Sequence, residues 1–257
     1  MISIYPVGIL RYVYLGSLVN QLQNPPSEIS VSRTLGMIEH FYDHLDELNL
    51  KVTKRAAHKL VDFYNLLQEV DDASSLNEDG ANRLSAIMSL LLETFDAEAQ
   101  ANLAYLVTDK RLDTNRLLND ISALLAPSVF DSLPSIAQYD ITEAGKCIAY
   151  ELPTSAAFHL LRGTEAVLRH FYLCYVKRNR IKSQMWGPVV EALRKCKTPP
   201  PTPLTDNLDN IRKSFRNPTQ HPDKIYDIQE VQDLFGLCVD VINRMVNHEK
   251  WVEPYLL

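Results

Sequence analysis

The strongest structural signal in the sequence is a row of six apolar residues near the C-terminus, spaced alternately three and four positions apart. The row consists of Ile228, Val231, Phe235, Cys238, Ile242 and Met245. This spacing places all six side chains on one face of an α-helix, and such a face packs against another helix. The segment from about residue 227 to 247 is therefore predicted to be an amphipathic helix.

The same helical spacing recurs along the rest of the chain. It predicts further helices over residues 31–50, 51–70, 81–109, 154–176, 183–195 and 206–215, several of them separated by proline-containing or turn-prone segments. The chain has only eight glycines in 257 residues, and its plentiful Leu, Ala, Glu, Gln and Lys favour helix over a turn-rich β fold. The sequence thus predicts an all-α fold.

A loop with Pro127 and Pro134 divides this helical pattern into two parts. We expect a helical N-terminal region over residues 1–128 and a C-terminal helical bundle over residues 129–257. In the second part, Asp140 followed by Glu143 has the spacing of a helix-capping box, so a helix is expected to begin at Asp140.

Several features predict the class and location of the protein. The four cysteines are widely spaced without a Cys-x-x-Cys pair, which favours reduced thiols. Pro6 interrupts the apolar start and the first basic residue is Arg11, a pattern that predicts neither a signal peptide nor a membrane span. We expect a cytoplasmic protein. The sequence has no phosphate-binding loop, dinucleotide-binding motif or zinc spacing, so no cofactor and no metal is expected.

Charge is distributed unevenly along the chain. The net charge is −6, but the window from residue 162 to 216 contains twelve basic and four acidic residues, a net charge of +8. A local excess of this kind indicates an anionic partner, although a solvated basic face would have the same composition.

The residues with the clearest chemical potential lie in the segment FRNPTQH at positions 215–221. Arginine carries a permanent charge and binds phosphate through two parallel hydrogen bonds, while histidine exchanges a proton near neutral pH. Arg216 and His221 therefore have the two properties that metal-free RNA cleavage needs, charge stabilisation and proton transfer. Taken alone, the spacing also fits an arginine that caps helix carbonyls and a histidine in a loop.

Three segments carry a family resemblance. Arg216-Asn217-x3-His221, between a helix and a long amphipathic helix, resembles the R-x4–6-H signature of HEPN domains. The runs DITEAGKCIAY at 140–150 and AAFHLLRGTEAVLR at 156–169 are similar to segments of bacterial HEPN-like proteins. The likeness extends over roughly residues 129–247.

The resemblance implies a metal-independent endoribonuclease of a toxin–antitoxin or anti-phage defence system. It makes His221 the general acid or base and Arg216 the phosphate ligand, with Asn217 polarising the site or hydrogen-bonding RNA. Glu165 is expected to orient His221. The basic residues expected to bind RNA are Arg162, Arg169, Lys177, Arg178, Arg180 and Lys182.

Alternatives remain open at this point. Arg162, Glu165 and Arg169 form one polar stripe on a helix, and Glu165 could equally form an internal salt bridge with Arg169. The alternative function is a non-catalytic HEPN-like module that binds a protein or small ligand through its acidic N-terminal half.

The expected partners are an RNA substrate, a second copy of the chain, and an antitoxin or defence-system protein. Homodimerisation is implied by the resemblance and is favoured by Leu234, Leu237 and Val241, apolar residues beside the seam of the last helix that a single chain is not expected to cover fully. No membrane partner is expected.

Overall fold

The computed structural model describes residues 9–26, 28–101, 107–176, 181, 184–222 and 224–254. Over these ranges the regular structure is helical, and the sole β-type pairing is an isolated bridge between Ser30 and Ser75. The all-α prediction is confirmed. The chain forms two compact units, Met1–Tyr105 and Leu106–Leu257.

The first unit is a helical bundle around its own apolar core. Its helices are α1 (Ile9–Gln23), α2 (Val31–Glu47), α3 (Lys51–Ala56), α4 (His58–Leu67) and α5 (Glu78–Ala101). The Ser30 hydroxyl caps α2 by accepting a hydrogen bond from the Arg33 N–H. Phe41, Leu60 and Leu84 are among the side chains buried between the helices.

The second unit is built around one long central helix, α8. Its helical elements are α6 (Thr114–Asn119), a 3₁₀ turn (Ile121–Leu124), α7 (Ser135–Ala149), α8 (Pro153–Tyr175), α9 (Trp186–Arg194), α10 (Thr202–Ile211), a π turn (Arg212–Arg216), α11 (Asn217–Thr219) and α12 (Ile228–Val246). Helix α8 packs against both α7 and α12. Among the described helices of either unit, none is long and apolar enough to cross a bilayer.

The compact second unit begins earlier than the predicted domain start at residue 129. Leu117, Ile121 and Leu125 are buried in the same core as α7 and α8. The segment before Pro127 therefore packs with the C-terminal unit, because its apolar residues complete that core. The predicted boundary followed the proline-containing loop and the extent of the family resemblance, and neither of these reports which residues share a core.

The predicted capping role of Asp140 is wrong. Helix α7 begins at Ser135, directly after Pro134, and Asp140 lies in its interior with a fully buried side chain. Side chains of the neighbouring helix α8 hydrogen-bond to its carboxylate. These tertiary partners replace the local backbone partners that a capping residue would use.

The C-terminal helix forms almost where its spacing predicted. The Asp227 carboxylate caps α12 by accepting hydrogen bonds from the Gln229 and Glu230 backbone N–H groups. Beside the seam, Leu234 and Val241 are buried by their own chain, whereas Leu237 is 42% exposed. The expectation that these neighbours need cover from a second chain is therefore wrong for Leu234 and Val241.

The segment that leads to the Arg216–His221 motif is longer than predicted. Its helix begins at Thr202 rather than near residue 206, and helical structure continues past Arg216 to Thr219. Within it, the Asn217 N–H bonds to the Arg212 carbonyl, five residues back, which makes a π turn. Turns of this kind are rare and frequently occur at functional sites.

Two glycines in the second unit provide a matched test of its packing. A Cβ at position 145 would lie 2.6 Å from the Leu117 carbonyl oxygen and 2.7 Å from Ile121 Cδ1. Gly145→Ala is therefore expected to destabilise the protein by about 1–3 kcal/mol through overpacking.

Gly236 lies in α12 with no heavy atom near its added Cβ. Gly236→Ala should stabilise by roughly 0.5–1 kcal/mol, because alanine favours helix over glycine. Urea unfolding of both variants measures the difference, and equal stabilities would contradict the close approach at position 145.

Candidate active-site cleft on helix α8

An open cleft of about 470 Å³ lies between α8 and the π turn–α11 segment. It is lined by Phe158, His159, Leu161, Arg162, Glu165, Arg216, Thr219 and Gln220. Charged and polar side chains thus meet at one surface from two elements that are distant in the sequence.

Helix α8 presents these groups because its two faces differ in polarity. Leu160, Val167 and Phe171 belong to the buried face. On the opposite side, polar residues recur at positions 159, 162, 165 and 169, which a helix with 3.6 residues per turn stacks in one row. Of the predicted polar stripe, Arg162 and Glu165 line the cleft.

Glu165 connects this row to the π turn. Its Oε1 accepts a hydrogen bond of 2.6 Å from Arg169 Nη2, and its Oε2 lies 3.4 Å from both Nε and Nη2 of Arg216. The carboxylate is therefore shared by two guanidinium groups, and these three side chains carry a net positive charge. The structure shows the Glu165–Arg169 salt bridge and no contact between Glu165 and His221 among its described contacts.

Asp140 organises the other end of the cleft. Its buried carboxylate accepts hydrogen bonds from Arg162 Nε at 2.7 Å and Nη2 at 2.5 Å, and lies 2.8 Å from His159 Nδ1. The hydrogen bonds to Asp140 raise the pKa of the Arg162 guanidinium. Gly163 allows this approach of α7, since a Cβ there would lie 3.0 Å from the Asp140 Cβ.

His159 is a cleft residue that sequence reasoning missed. It lies in the AAFHLLR segment, three positions before Arg162 and hence on the same helical row. That spacing was the available signal. The decisive information is tertiary, because Asp140 contacts both side chains from a different helix.

The predicted catalytic residues are divided between the cleft and the surface. The Arg216 side chain is 25% exposed and lines the cleft, whereas Asn217 and His221 are exposed. The His221 backbone N–H donates to the Pro218 carbonyl. Its imidazole has no hydrogen bond to another described residue, and the cleft lining ends at the preceding residue, Gln220.

Thr219 and Tyr226 anchor the Arg216–His221 motif to the core through hydrogen bonds. The Thr219 hydroxyl donates to the Phe215 carbonyl at 2.7 Å and lies 2.6 Å from the buried Tyr226 hydroxyl. The ring of Tyr226 stacks on Phe215, and burial raises the pKa of Tyr226. The chain on either side of His221 is thus held in place while the histidine itself stays exposed.

The basic window is partly neutralised within the chain. Arg194 pairs with Asp206, and both Arg212 and Lys213 pair with Asp209. Four of the residues predicted to bind RNA, Lys177, Arg178, Arg180 and Lys182, lie outside the residues that the structure describes. Of the remaining two, Arg162 lines the cleft and Arg169 is 46% exposed.

Comparison of the chain with family models, with curated proteins and with solved structures finds no match in any of the three. Over the described residues, no group of three or more His, Cys, Asp and Glu side chains is placed to hold a metal ion.

The Asp140–Arg162 pair can be tested by its effect on stability. Arg162→Met leaves a buried carboxylate with His159 as its remaining side-chain partner, and we expect a loss of about 1–3 kcal/mol on urea unfolding. Adding Asp140→Asn should recover part of this loss, because no charge then stays buried. Arg244→Met is the matched control, since its pair with Asp240 is 49% and 40% exposed and is expected to contribute at most about 0.5 kcal/mol. Equal losses for Arg162→Met and Arg244→Met would contradict the structural role of Asp140.

Proposed function

We propose that the second unit is a metal-independent endoribonuclease of the HEPN type, acting in the cytoplasm in a toxin–antitoxin or anti-phage defence system. The observation that carries the proposal is the meeting of Arg216, Arg162, His159 and Glu165 in one open cleft. The family resemblance of the FRNPTQH segment supports the same activity.

Arg216 is suited to hold the scissile phosphate. Its guanidinium is partly exposed and lies 3.4 Å from Glu165, a longer contact than the 2.6 Å bond that Arg169 makes with the same carboxylate. A phosphate therefore displaces Glu165 from Arg216 at a small cost in free energy. It then accepts two parallel charge-assisted hydrogen bonds from the guanidinium. Such donors stabilise the negative charge that develops on the phosphorane. Exposed Asn217 hydrogen-bonds the RNA beside it.

His221 moves a proton during the cleavage. Its exposed imidazole is accessible to an RNA strand that crosses the cleft. The 2′-hydroxyl attacks the neighbouring phosphorus, the bond from phosphorus to the 5′-oxygen breaks, and the products are a 2′,3′-cyclic phosphate and a 5′-hydroxyl. DNA lacks the attacking hydroxyl and is not cut.

Other cations of the second unit bind the rest of the RNA strand. Arg169 continues the row of α8 beyond Glu165, and the basic run at 177–182 follows the same helix in sequence. These cations attract the backbone by releasing counterions from it. A homodimer that joins two Arg216–His221 motifs, and an antitoxin or defence-system partner, stay expectations of the resemblance.

One observation favours a second candidate function. His221 does not line the cleft that contains Arg216. A non-catalytic module would use the same arginines to bind a phosphate-containing or protein partner without cutting it. RNA binding without cleavage by the wild-type chain would select this alternative.

Arg216→Ala and His221→Ala should each lower the cleavage of total RNA by about 100-fold or more while the protein stays folded. The double variant should be hardly worse than either single one, because groups that act as a unit are not additive. Arg216→Lys should recover little of the cleavage activity, since lysine lacks the planar guanidinium that binds phosphate through two hydrogen bonds. Arg244→Ala removes an exposed arginine of α12 and serves as the control.

Cleavage should continue in EDTA. Loss of activity on chelation, with recovery on adding a divalent metal, would contradict the metal-free mechanism. Full activity of Arg216→Ala would contradict the assignment of the cleft.

The basic run is tested by the salt dependence of RNA binding. Replacing Lys177, Arg178, Arg180 and Lys182 by Gln should weaken binding and reduce the slope of log K against log salt by roughly 0.7 for each lost phosphate contact. The control replaces four basic residues of the first unit, Lys51, Lys54, Arg55 and Lys59. Equal effects of the two sets would show that only net charge matters.

A further inference from the structure

His159 has the environment of a proton-transfer group. Its side chain is 25% exposed, lines the cleft with Arg216, and contacts the fully buried Asp140 carboxylate through Nδ1. Its other ring nitrogen, Nε2, has no hydrogen-bond partner among the residues that the structure describes. One nitrogen is thus fixed by a buried acid while the other remains available.

The contact with Asp140 selects the state of the ring. A carboxylate that accepts a hydrogen bond from Nδ1 favours the tautomer with the proton on Nδ1, and Nε2 is then the proton acceptor. The same carboxylate stabilises the imidazolium that forms when Nε2 takes up a proton, as the acid of a hydrolase triad does. Asp140 is itself held in place by two hydrogen bonds from Arg162.

A purely structural role leaves the position of His159 unexplained. Arg162 already donates to both oxygens of Asp140 and supplies the opposite charge. The histidine adds a third hydrogen bond, at Oδ1, and its own side chain lines the cleft. The buried acid is therefore satisfied in charge without it.

We propose that His159 is the general base of the ribonuclease and that Asp140 is its positioning residue. The inference rests on the proposed function. Nε2 of His159 takes the proton of the 2′-hydroxyl as the bond from O2′ to phosphorus forms. The bond from phosphorus to O5′ breaks, and O5′ receives a proton from His221, which acts as the acid.

The assignment implies a pH dependence for cleavage. A general base contributes to the rate only in its proton-accepting form. The charged and titratable groups around the ring come from α7, α8 and the π turn; they are Tyr139, Asp140, Arg162, Glu165 and Arg216. Removing the histidine should therefore change the pH dependence of kcat/KM as well as its magnitude.

The test compares two substrates with a single scissile linkage. One is an oligoribonucleotide with an ordinary 5′-oxygen leaving group, and the other has a bridging 5′-sulfur, which leaves without protonation. His159→Gln keeps an amide donor for Asp140 but cannot accept a proton. It should lower kcat/KM by about 10²–10⁴-fold on both substrates. His221→Gln should lower it on the oxygen substrate and recover on the sulfur substrate.

Controls separate a lost base from a lost fold. His40→Gln changes an imidazole that is 74% exposed in the first unit and should leave kcat/KM unchanged. His159→Asn is a second substitution in case glutamine packs poorly, and circular dichroism with urea unfolding checks each variant. Asp140→Asn should lower kcat because it disturbs the base, and any change in KM measures its separate effect on Arg162, which the same carboxylate holds.

The outcomes are distinguishable. Wild-type protein that cuts neither substrate overturns the proposed function and this inference together. Cleavage by the wild type with normal kcat/KM in folded His159→Gln overturns this inference alone. Recovery of His159→Gln on the sulfur substrate would make His159 the acid and would also overturn it. An equal loss on both substrates supports the base.

Discussion

The carboxylate of Asp140 is fully buried between α7 and α8. An unpaired charge in this position would strongly destabilise the fold. Arg162 offsets that cost, and it is held at the surface of the cleft together with His159, whose Nδ1 contacts the same carboxylate. The arrangement depends on the absence of a side chain at Gly163, because a Cβ there would crowd Asp140. One buried acid therefore couples the packing of two helices to the placement of two groups that can contact a phosphate strand.

A second carboxylate has a similar effect further along α8. Glu165 is 12% exposed and is shared between Arg169 and Arg216. Because two permanent positive charges meet one negative charge, the cleft has an excess of cations despite the acidic composition of the whole chain. The π turn at Arg212–Arg216 brings Arg216 to this carboxylate across a large separation in sequence. Together the two acids fix the arginines that the proposed reaction needs.

Periodicity was sufficient to predict α12, since its seam and the Asp227 cap are both local features. It was insufficient for Asp140, where the local capping pattern was overridden by hydrogen bonds from another helix. It also missed His159, whose significance depends on that same tertiary contact. The polar row of α8 was predictable from spacing. Spacing could not show that this row meets Arg216, or that His221 is absent from the cleft lining. Both facts depend on how α8 and the π turn are arranged in three dimensions.

The cleft is proposed to cut RNA by attack of the 2′-hydroxyl. The most direct measurement is mass spectrometry of the 3′ ends that purified protein produces from a defined oligoribonucleotide. The account predicts a 2′,3′-cyclic phosphate paired with a 5′-hydroxyl, and intact substrate when the 2′-hydroxyl at the scissile position is replaced by hydrogen. A 3′-hydroxyl product, or cleavage of the deoxy-substituted substrate at that position, would contradict it.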